Sequence, residues 1–172
     1  LTYQWDFGDG NRTEPSDDPG ATHTYVNNGQ YDVTLTVTDD SGATAVASIR
    51  VTILNANPQT DFIPDRTVNE GAEETYEGNA TDDGIHDTLT YVWDFDYDDV
   101  TFDQNVTGKS VTWIYPDGFK DPKTYKVALR VQDADGGQAE LRTFNVKVLN
   151  KAPIAIIEAG DHSEDQNDPI TL

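Results

Sequence analysis

The chain lacks cysteine altogether and is poor in basic residues, and both absences limit what it can do. Without cysteine, neither a disulfide framework nor thiol chemistry is available. Lys and Arg number 11 against 32 Asp and Glu, which gives a formal net charge of −21. A surface of this charge repels phosphate backbones and anionic lipids, so we expect no nucleic-acid partner. Apolar runs of about 18 residues are also missing, so we expect no membrane insertion in this segment.

Helical periodicity is absent over any useful length, and alternation takes its place. Residues 31–38 read YDVTLTVT, with apolar residues on one face and polar residues on the other. The pattern returns at 125–132 as YKVALRVQ, and a second alternating stretch follows each copy, at 46–54 and at 141–149. Turns rich in Gly and Asp separate the stretches. Short strands joined by such turns predict an all-β chain built of immunoglobulin-like sandwiches.

The chain also repeats itself on the scale of a domain. LTYQWDF at 1–7 returns as LTYVWDF at 89–95, and both alternating stretches run into Leu-Asn-x-x-Pro. The spacing of roughly 88–95 residues is too long for a solenoid unit. Three segments are therefore predicted. They are the later strands of one domain whose first strands are missing (1–54), a complete but divergent domain (55–150), and the first strands of a further domain or a strand-exchanging tail (151–172).

An ordered set of motifs in the first segment resembles the PKD (polycystic kidney disease) domain family. The set is WDFGDG at 5–10, HTY at 23–25 and GxYxVxLxVxDxxG at 29–42. The second copy keeps the Trp and Phe but not the glycines, and any difference in function is expected between residues 96 and 123. The resemblance implies tandem immunoglobulin-like (PKD) β-sandwiches on extracellular proteins, which generally have no catalytic activity.

Acidic loops suggest a calcium site, because calcium takes six to eight hard oxygen ligands. One loop precedes the second Trp strand, one turn joins the last two strands, and the linker between domains supplies two asparagines. In a sandwich these places meet at one end, and calcium there would stiffen the joint. Calcium sites of this layout also occur in some domains like those of the PKD family. The candidate ligands are Asn55, Asn57, Asp82, Asp83, Asp87, Asp133 and Asp135.

Two other acidic motifs do not support a specific site. The DxDxD run at 94–98 has the spacing of an EF-hand, but that loop needs Gly at its sixth position and Glu at its twelfth, where this chain has Asp99 and Asn105. An exposed acidic strand end or turn is the favoured interpretation. Asp6 and Asp9 are expected to bond turn amides rather than to act on a substrate.

Three sequons fall in predicted loops, where an N-glycan would have to be attached. They begin at Asn11, Asn79 and Asn105. The sequence therefore predicts candidate glycosylation sites, although such sequons also arise by chance in chains rich in Asn and Thr.

These observations lead to a predicted function without enzymatic activity. The chain is expected to be an extracellular structural or adhesive module of a cell-surface, S-layer or filament protein. Its expected partners are neighbouring copies or other surface proteins, with strand addition as one route, and glycans. The alternative is a polymer-binding accessory domain of a secreted hydrolase. That interpretation needs exposed aromatic residues, and the candidates are Tyr97, Phe102, Tyr115 and Phe119.

Overall fold

The computed structural model describes residues 1–84, 87–116, 118 and 120–152. Within them, every regular element is a β-strand, three in the first unit (residues 1–54) and nine in the second unit (residues 55–150). The predicted opening of a third domain (151–172) lies outside the described residues from residue 153 onward. The strands are β1 (Thr2–Asp6), β2 (Gly29–Thr38), β3 (Thr44–Ile53), β4 (Gln59–Thr60), β5 (Arg66–Asn69), β6 (Glu73–Glu77), β7 (Ala80–Thr81), β8 (Thr90–Asp94), β9 (Val106–Thr107), β10 (Ser110–Ile114), β11 (Lys123–Gln132) and β12 (Arg142–Leu149).

The first unit is an antiparallel sheet in the order β1-β2-β3. Its strands are rich in Val, Thr and Ile, whose branched side chains suit a pleated surface. β2 and β3 pair along their whole length, and Val33 lies opposite Ile49. The turn between them is organised by Asp39, whose Oδ1 accepts hydrogen bonds from the amides of Ser41 (2.9 Å) and Ala43 (2.8 Å).

The second unit is a β-sandwich, which confirms the predicted fold class. Its larger sheet has the order β5-β12-β11-β8-β9, and β10-β6 and β4-β7 form two small sheets. All pairings are antiparallel except that of β5 with β12, which is parallel. The apolar residues that alternate along β11 and β12 therefore face inward and form the core. The buried core residues are Ile63, Val68, Tyr76, Tyr91, Trp93, Phe95, Val111, Tyr115, Val127, Leu129, Val131, Phe144, Val146 and Val148.

Aromatic side chains dominate that core. Phe95 stacks on Trp113 with ring centroids 4.5 Å apart, and Tyr76 meets Phe95 edge-on at 4.9 Å. The Trp93 ring is fully buried, and its Nε1 donates a hydrogen bond to the carbonyl oxygen of Gly108 (2.9 Å). A buried indole with its donor satisfied contributes a large apolar area without leaving an unpaired polar group.

The two units share one strand register but not the same burial. Val33 lies opposite Ile49 in the first unit, as Val127 lies opposite Phe144 in the second. Phe144 is 3% exposed, whereas Ile49 is 63% exposed. In the second unit the other strands cover this apolar face of the sheet. In the first unit the same face is covered at Val33, which is 7% exposed, but is left open at Ile49 on β3.

The acidic run after β8 differs from its prediction at one residue. Asp96 and Asp98 are exposed, as expected, but Asp94 is 1% exposed. Its Oδ1 accepts a hydrogen bond from the amide of Asp96 (3.1 Å), and its Oδ2 accepts one from the amide of Asp103 (2.8 Å). The prediction of an exposed turn was wrong for Asp94, because its carboxylate holds both ends of the following loop.

That loop lies across the outer face of the larger sheet. Lys126 on β11 forms an ion pair with Asp99 (2.6 Å), and the guanidinium of Arg130 lies 4.1 Å from the ring centre of Phe102. Ala128, between these two basic residues, is fully buried although it points away from the core. The loop that replaces the glycine turn of the first unit is thus packed against the sheet.

Candidate cation site at the joint between the units

Three separate segments of the chain meet beside the start of the second unit. They are the linker after β3, the loop between β7 and β8, and the turn between β11 and β12. Asp133 organises the turn, since its Oδ1 accepts hydrogen bonds from the amides of Asp135 (2.9 Å) and Gly137 (2.8 Å). Its other oxygen is thereby directed to the linker, where the Nδ2 of Asn55 donates to Asp133 Oδ2 (2.7 Å).

Three carboxylates converge at this place. Asp82, Asp87 and Asp133 each offer one oxygen, and these oxygens lie within 4.8 Å of one another. Asp133 is buried and the other two are partly buried. Unscreened carboxylates at such separations repel one another, and the repulsion is stronger away from bulk water.

Two carboxylate oxygens of the cluster are buried without a hydrogen-bond donor in the part of the chain that the structure describes. They are Asp82 Oδ2 and Asp87 Oδ2. The other carboxylate oxygen of Asp82, Oδ1, accepts a hydrogen bond from the amide of Gly84 (2.8 Å). A buried acceptor that lacks a donor costs free energy, and a bound cation would compensate for it.

Glycines keep the cluster open. A Cβ atom added at Gly137 would clash with Asp133 Oδ2 and lie 2.6 Å from Asn55 Nδ2 and 2.9 Å from Asn57 Oδ1. A Cβ atom at Gly84 would clash with Asp87 Oδ2 in the same way. The sequence prediction did not include these two glycines. Gly137 could have been suspected from the sequence, because it is the second of two consecutive glycines in DADGG at 133–137.

The structure brings together five of the seven residues that were predicted as ligands. Asn55, Asn57 and the three clustered aspartates face one another. Asp135 is exposed at the rim, near enough for its charge and a hydrogen bond to act on Asp87. Asp83 is exposed and lines an adjoining cavity at the joint, together with Asn55 and Gly84. The residues that converge are Asn55, Asn57, Asp82, Asp87 and Asp133.

Electrostatics distinguish the carboxylates of the cluster. Burial raises the pKa of Asp87, and the charges of Asp135, Asp82 and Asp133 raise it further. Burial also raises the pKa of Asp133, but the hydrogen bonds from Asn55 and from the turn amides outweigh it, so the pKa lies below its ordinary value. The cluster therefore carries negative charge that a proton or a cation on Asp87 would relieve.

The joint also contains a cavity of about 80 Å³. The loop before β2, the linker and the loop after β7 all contribute to its lining, including Tyr25, Leu54 and Asp83. Asn27 in this lining has a buried Oδ1 without a hydrogen-bond donor among the described residues. Polar groups of both units thus face each other across the joint.

The three predicted glycosylation sites are all exposed. Asn11 donates a hydrogen bond from Nδ2 to Asp9 Oδ2 (3.2 Å). Asn105 accepts one at Oδ1 from the amide of Phe95, which leaves its Nδ2 unused by that bond. Asn79 lies between β6 and β7. Their exposure is compatible with glycans, and glycosylation stays a prediction.

The aromatic residues considered for polymer binding do not form a planar row. Tyr97 and Phe102 are partly buried, and their rings are tilted by 53° at a centroid separation of 6.4 Å. Tyr115 belongs to the core. Phe119 lies outside the described residues. Among the described candidates, only Tyr97 and Phe102 are therefore accessible to solvent. Both lie on the loop that covers the outer face of the larger sheet.

The fold and register define two related immunoglobulin-like units, the second a β-sandwich and the first a single three-stranded sheet. The family model of the PKD domain matches residues 1–53 and 55–148, and the chain belongs to this family. PKD domains are generally non-catalytic modules. The described residues contain no helix long and apolar enough to cross a membrane.

Parts of several larger proteins are similar to the chain. Collagenase ColA of Clostridium perfringens is 43% identical over 56 residues, which is 33% of this chain and 5% of that protein. Human Polycystin-1 is 48% identical over 52 residues (30% and 1%), and the microbial collagenase of Vibrio alginolyticus is 49% identical over 67 residues (37% and 7%). The match thus spans a small part of each relative. Among solved structures, fibronectin(III)-like modules of Clostridium thermocellum CbhA give a TM-score of 0.43 at 12% identity, covering 95% of this chain and 83% of theirs.

Proposed function

We propose that the chain is a non-catalytic structural segment of an extracellular protein, of the cell-surface, S-layer or filament type. Its PKD units act as spacers and contact surfaces, and calcium stiffens the joint between them. The observation that carries the proposal is the contact between Asn55 in the linker and Asp133 in the second unit. It couples the acidic cluster to the segment that sets the direction of the first unit.

A cation in the cluster would bind the linker as well as the second unit. Asn55 now directs its Nδ2, a partly positive donor, at Asp133 Oδ2. Rotation of that amide by 180° presents Oδ1 instead, so the same side chain serves as a cation ligand. Asn57 Oδ1 approaches the same glycine that Asp133 does. The linker would then be fixed at two residues rather than by one hydrogen bond.

The donor set favours calcium over other common cations. The converging atoms are carboxylate and amide oxygens, which are hard ligands. Zinc sites use mainly His and Cys, and none of the five converging residues is either. Magnesium requires near-ideal octahedral geometry and keeps several waters, whereas calcium accepts the irregular set that three loops provide.

Calcium binding is tested by thermal unfolding and calorimetry of the 172-residue chain. Calcium should raise the melting temperature of the wild type, and EDTA should reverse the rise. Asp87→Asn should abolish the rise. In EDTA this variant should melt above the wild type, because the substitution removes a charge that its neighbours repel.

Asp96→Asn is the matched control, since it removes one exposed carboxylate of the second unit that lies outside the cluster. It should respond to calcium as the wild type does. Absence of calcium uptake by the wild type in calorimetry, together with an unchanged melting temperature, would refute the calcium site.

A second candidate function is that of an accessory domain that binds an insoluble polymer for a secreted hydrolase. It is supported by the similarity to two proteins named as collagenases. The site for such binding would be the aromatic pair Tyr97 and Phe102. Pull-down with collagen, chitin and cellulose tests it, with Phe102→Ala as the variant and Val46→Ala, an exposed apolar residue of the first unit, as the control. Retention lost only in Phe102→Ala would favour this function, and no retention of the wild type would reject it.

A finer proposal concerns contacts between copies. The apolar face left open at Ile49 on β3 supports strand addition, in which residues 151–172 of a neighbouring copy supply the covering strands. Light scattering compares the full chain with a variant that ends at residue 150. Assemblies present only in the full chain would support the proposal. Assemblies that persist without the tail, or a monomeric full chain at all concentrations, would contradict it.

A further inference from the structure

A buried carboxylate of the second unit binds the segment that follows β12, by which the chain leaves the unit. Glu70, in the turn between β5 and β6, is 8% exposed. Its Oε1 accepts a hydrogen bond from the amide of Lys151 (2.8 Å), two residues beyond the end of β12. Its Oε2 accepts one from the amide of Gly118 (3.0 Å) in the loop between β10 and β11. One side chain therefore binds two backbone positions that are 33 residues apart in sequence.

The backbone of the same turn is tied to the same two segments. The amide of Glu70 donates to the carbonyl oxygen of Leu149 (3.0 Å), and the amide of Gly71 donates to that of Tyr115 (3.0 Å). The turn itself depends on Gly71, whose φ of +68° favours glycine. Backbone hydrogen bonds thus fix the turn that carries the Glu70 carboxylate, and the carboxylate in turn binds the segment after β12.

Entry to and exit from the second unit lie at opposite ends of its larger sheet. The entering linker contacts Asp133, which directly follows β11. The exit follows β12, whose Val148 lies opposite Lys123 at the start of β11. The ten residues of β11 span about 30 Å at roughly 3.3 Å per residue. The two ends of the unit are therefore held by different devices, the acidic cluster at the entry and Glu70 at the exit.

We propose that Glu70 is a positioning residue that fixes the direction in which the chain leaves the second unit, and that it couples this direction to the loop between β10 and β11. A carboxylate suits the role, because its two oxygens accept from two amides at once and hydrogen bonds to a charged acceptor are the stronger ones. The device needs no cation, so it is independent of the calcium proposal.

Amide hydrogen exchange followed by NMR on the full chain in EDTA tests the proposal. In Glu70→Ala, the amides of Lys151 and Gly118 should exchange at least about tenfold faster than in the wild type, because each loses a hydrogen bond to a charged acceptor. The amide of Val127 in β11 should keep its wild-type rate. Joint acceleration at two distant positions, without acceleration in the core, is the signature of the proposed role.

Two further variants keep the test decisive. Glu73→Ala removes an exposed carboxylate three residues away and should leave both amides unchanged. Glu70→Gln retains one carbonyl oxygen, so one of the two amides should stay protected, and this variant replaces Glu70→Ala if the latter does not fold. An unchanged rate at Lys151 in Glu70→Ala, or unchanged rates at both Lys151 and Gly118 in Glu70→Gln, would overturn the proposal. Equal acceleration at Val127 would overturn it as well, because Glu70 would then support only overall stability.

Discussion

At the scale of single residues, the two copies of the WDF motif show which positions are fixed by the core and which by the turn. Asp6 Oδ1 accepts a hydrogen bond from the amide of Gly8 (2.9 Å), and Asp94 Oδ1 accepts one from the amide of Asp96 (3.1 Å). The aspartate therefore has the same local role in both copies. Gly8 has a φ of +78°, and a Cβ atom there would lie 2.8 Å from the carbonyl oxygen of Asp32. The first turn requires glycine, whereas the second copy replaces the turn by a longer loop.

Removal of the Asp94 carboxylate should destabilise the second unit. In Asp94→Ala two amides lose a charged acceptor, which should lower the free energy of unfolding by about 2–3 kcal/mol. Asp96→Ala, an exposed neighbour, should change it by less than about 0.5 kcal/mol. Urea denaturation followed by Trp fluorescence measures both. Equal effects of the two substitutions would contradict the assigned role of Asp94.

The Asp9 carboxylate should make the stability of the first unit depend on pH. Asp9 Oδ2 pairs with His23 Nε2 at 2.7 Å. Partial burial raises the pKa of Asp9, but hydrogen bonds from His23 and Asn11 outweigh it and leave the pKa below its ordinary value. The folded form thus binds this proton less readily than the unfolded form. The stability that Asp9 contributes is present above the ordinary pKa of about 3.9 and is lost as the pH falls through the lowered value.

Asp9→Asn should therefore weaken the first unit at pH 7 and make its loss of stability below about pH 4 less steep. Asp17→Asn, at an exposed position in the same unit, is the control and should keep the wild-type slope. Unfolding by urea at several pH values between 7 and 2 gives the slopes. A slope for Asp9→Asn that equals the wild-type slope would show that the pair with His23 does not act on stability.

At the scale of strands and loops, alternation in the sequence was sufficient for the fold class but not for the burial of each face. The inward positions of β2 and β11 follow from period-2 patterning, which depends only on local geometry. The uncovered face of β3 and the burial of Asp94 depend on residues far away in the chain. The candidate ligands shared one end of a sandwich, so their convergence was foreseeable from topology. The hydrogen bonds from turn amides to Asp133 and from the Lys151 amide to Glu70 were not foreseeable. They depend on the direction of the backbone in the folded loops, which composition does not encode.

Substitutions at equivalent strand positions should lower the free energy of unfolding by very different amounts in the two units. Phe144 and Ile49 occupy equivalent places in the register. Phe144→Ala should lower the free energy of unfolding by about 3–5 kcal/mol, because it leaves a cavity in a packed core. Ile49→Ala should cost much less, since that side chain is mostly exposed. Urea denaturation of both variants compares them. A large cost for Ile49→Ala would mean that its face is covered in solution.

At the scale of the whole molecule, net charge sets the response to salt. The chain carries −21, while the described residues contain three ion pairs, one of them to a histidine. Repulsion among unpaired carboxylates destabilises a compact state, and salt screens it over a Debye length of about 10 Å at 0.1 M and about 3 Å at 1 M.

Sodium chloride should therefore raise the melting temperature gradually up to molar concentrations. Calcium chloride at the same ionic strength should add a further rise at low concentration, and Asp87→Asn should lose only that addition. Differential scanning calorimetry separates the two effects. Equal melting temperatures in the two salts at matched ionic strength would mean that calcium acts by screening alone.

The central claim is that a cation in the acidic cluster fixes the joint between the PKD units, and a distance measurement across the joint tests it most directly. Because the chain has no cysteine, two cysteines introduced as Ser48→Cys in the first unit and Lys147→Cys in the second can be spin-labelled without labelling any other position. Electron–electron double resonance should give a narrow distance distribution with calcium and a broad one in EDTA, and Asp87→Asn should give the broad one in both. Distributions of equal width with and without calcium in the otherwise wild-type chain would contradict the claim.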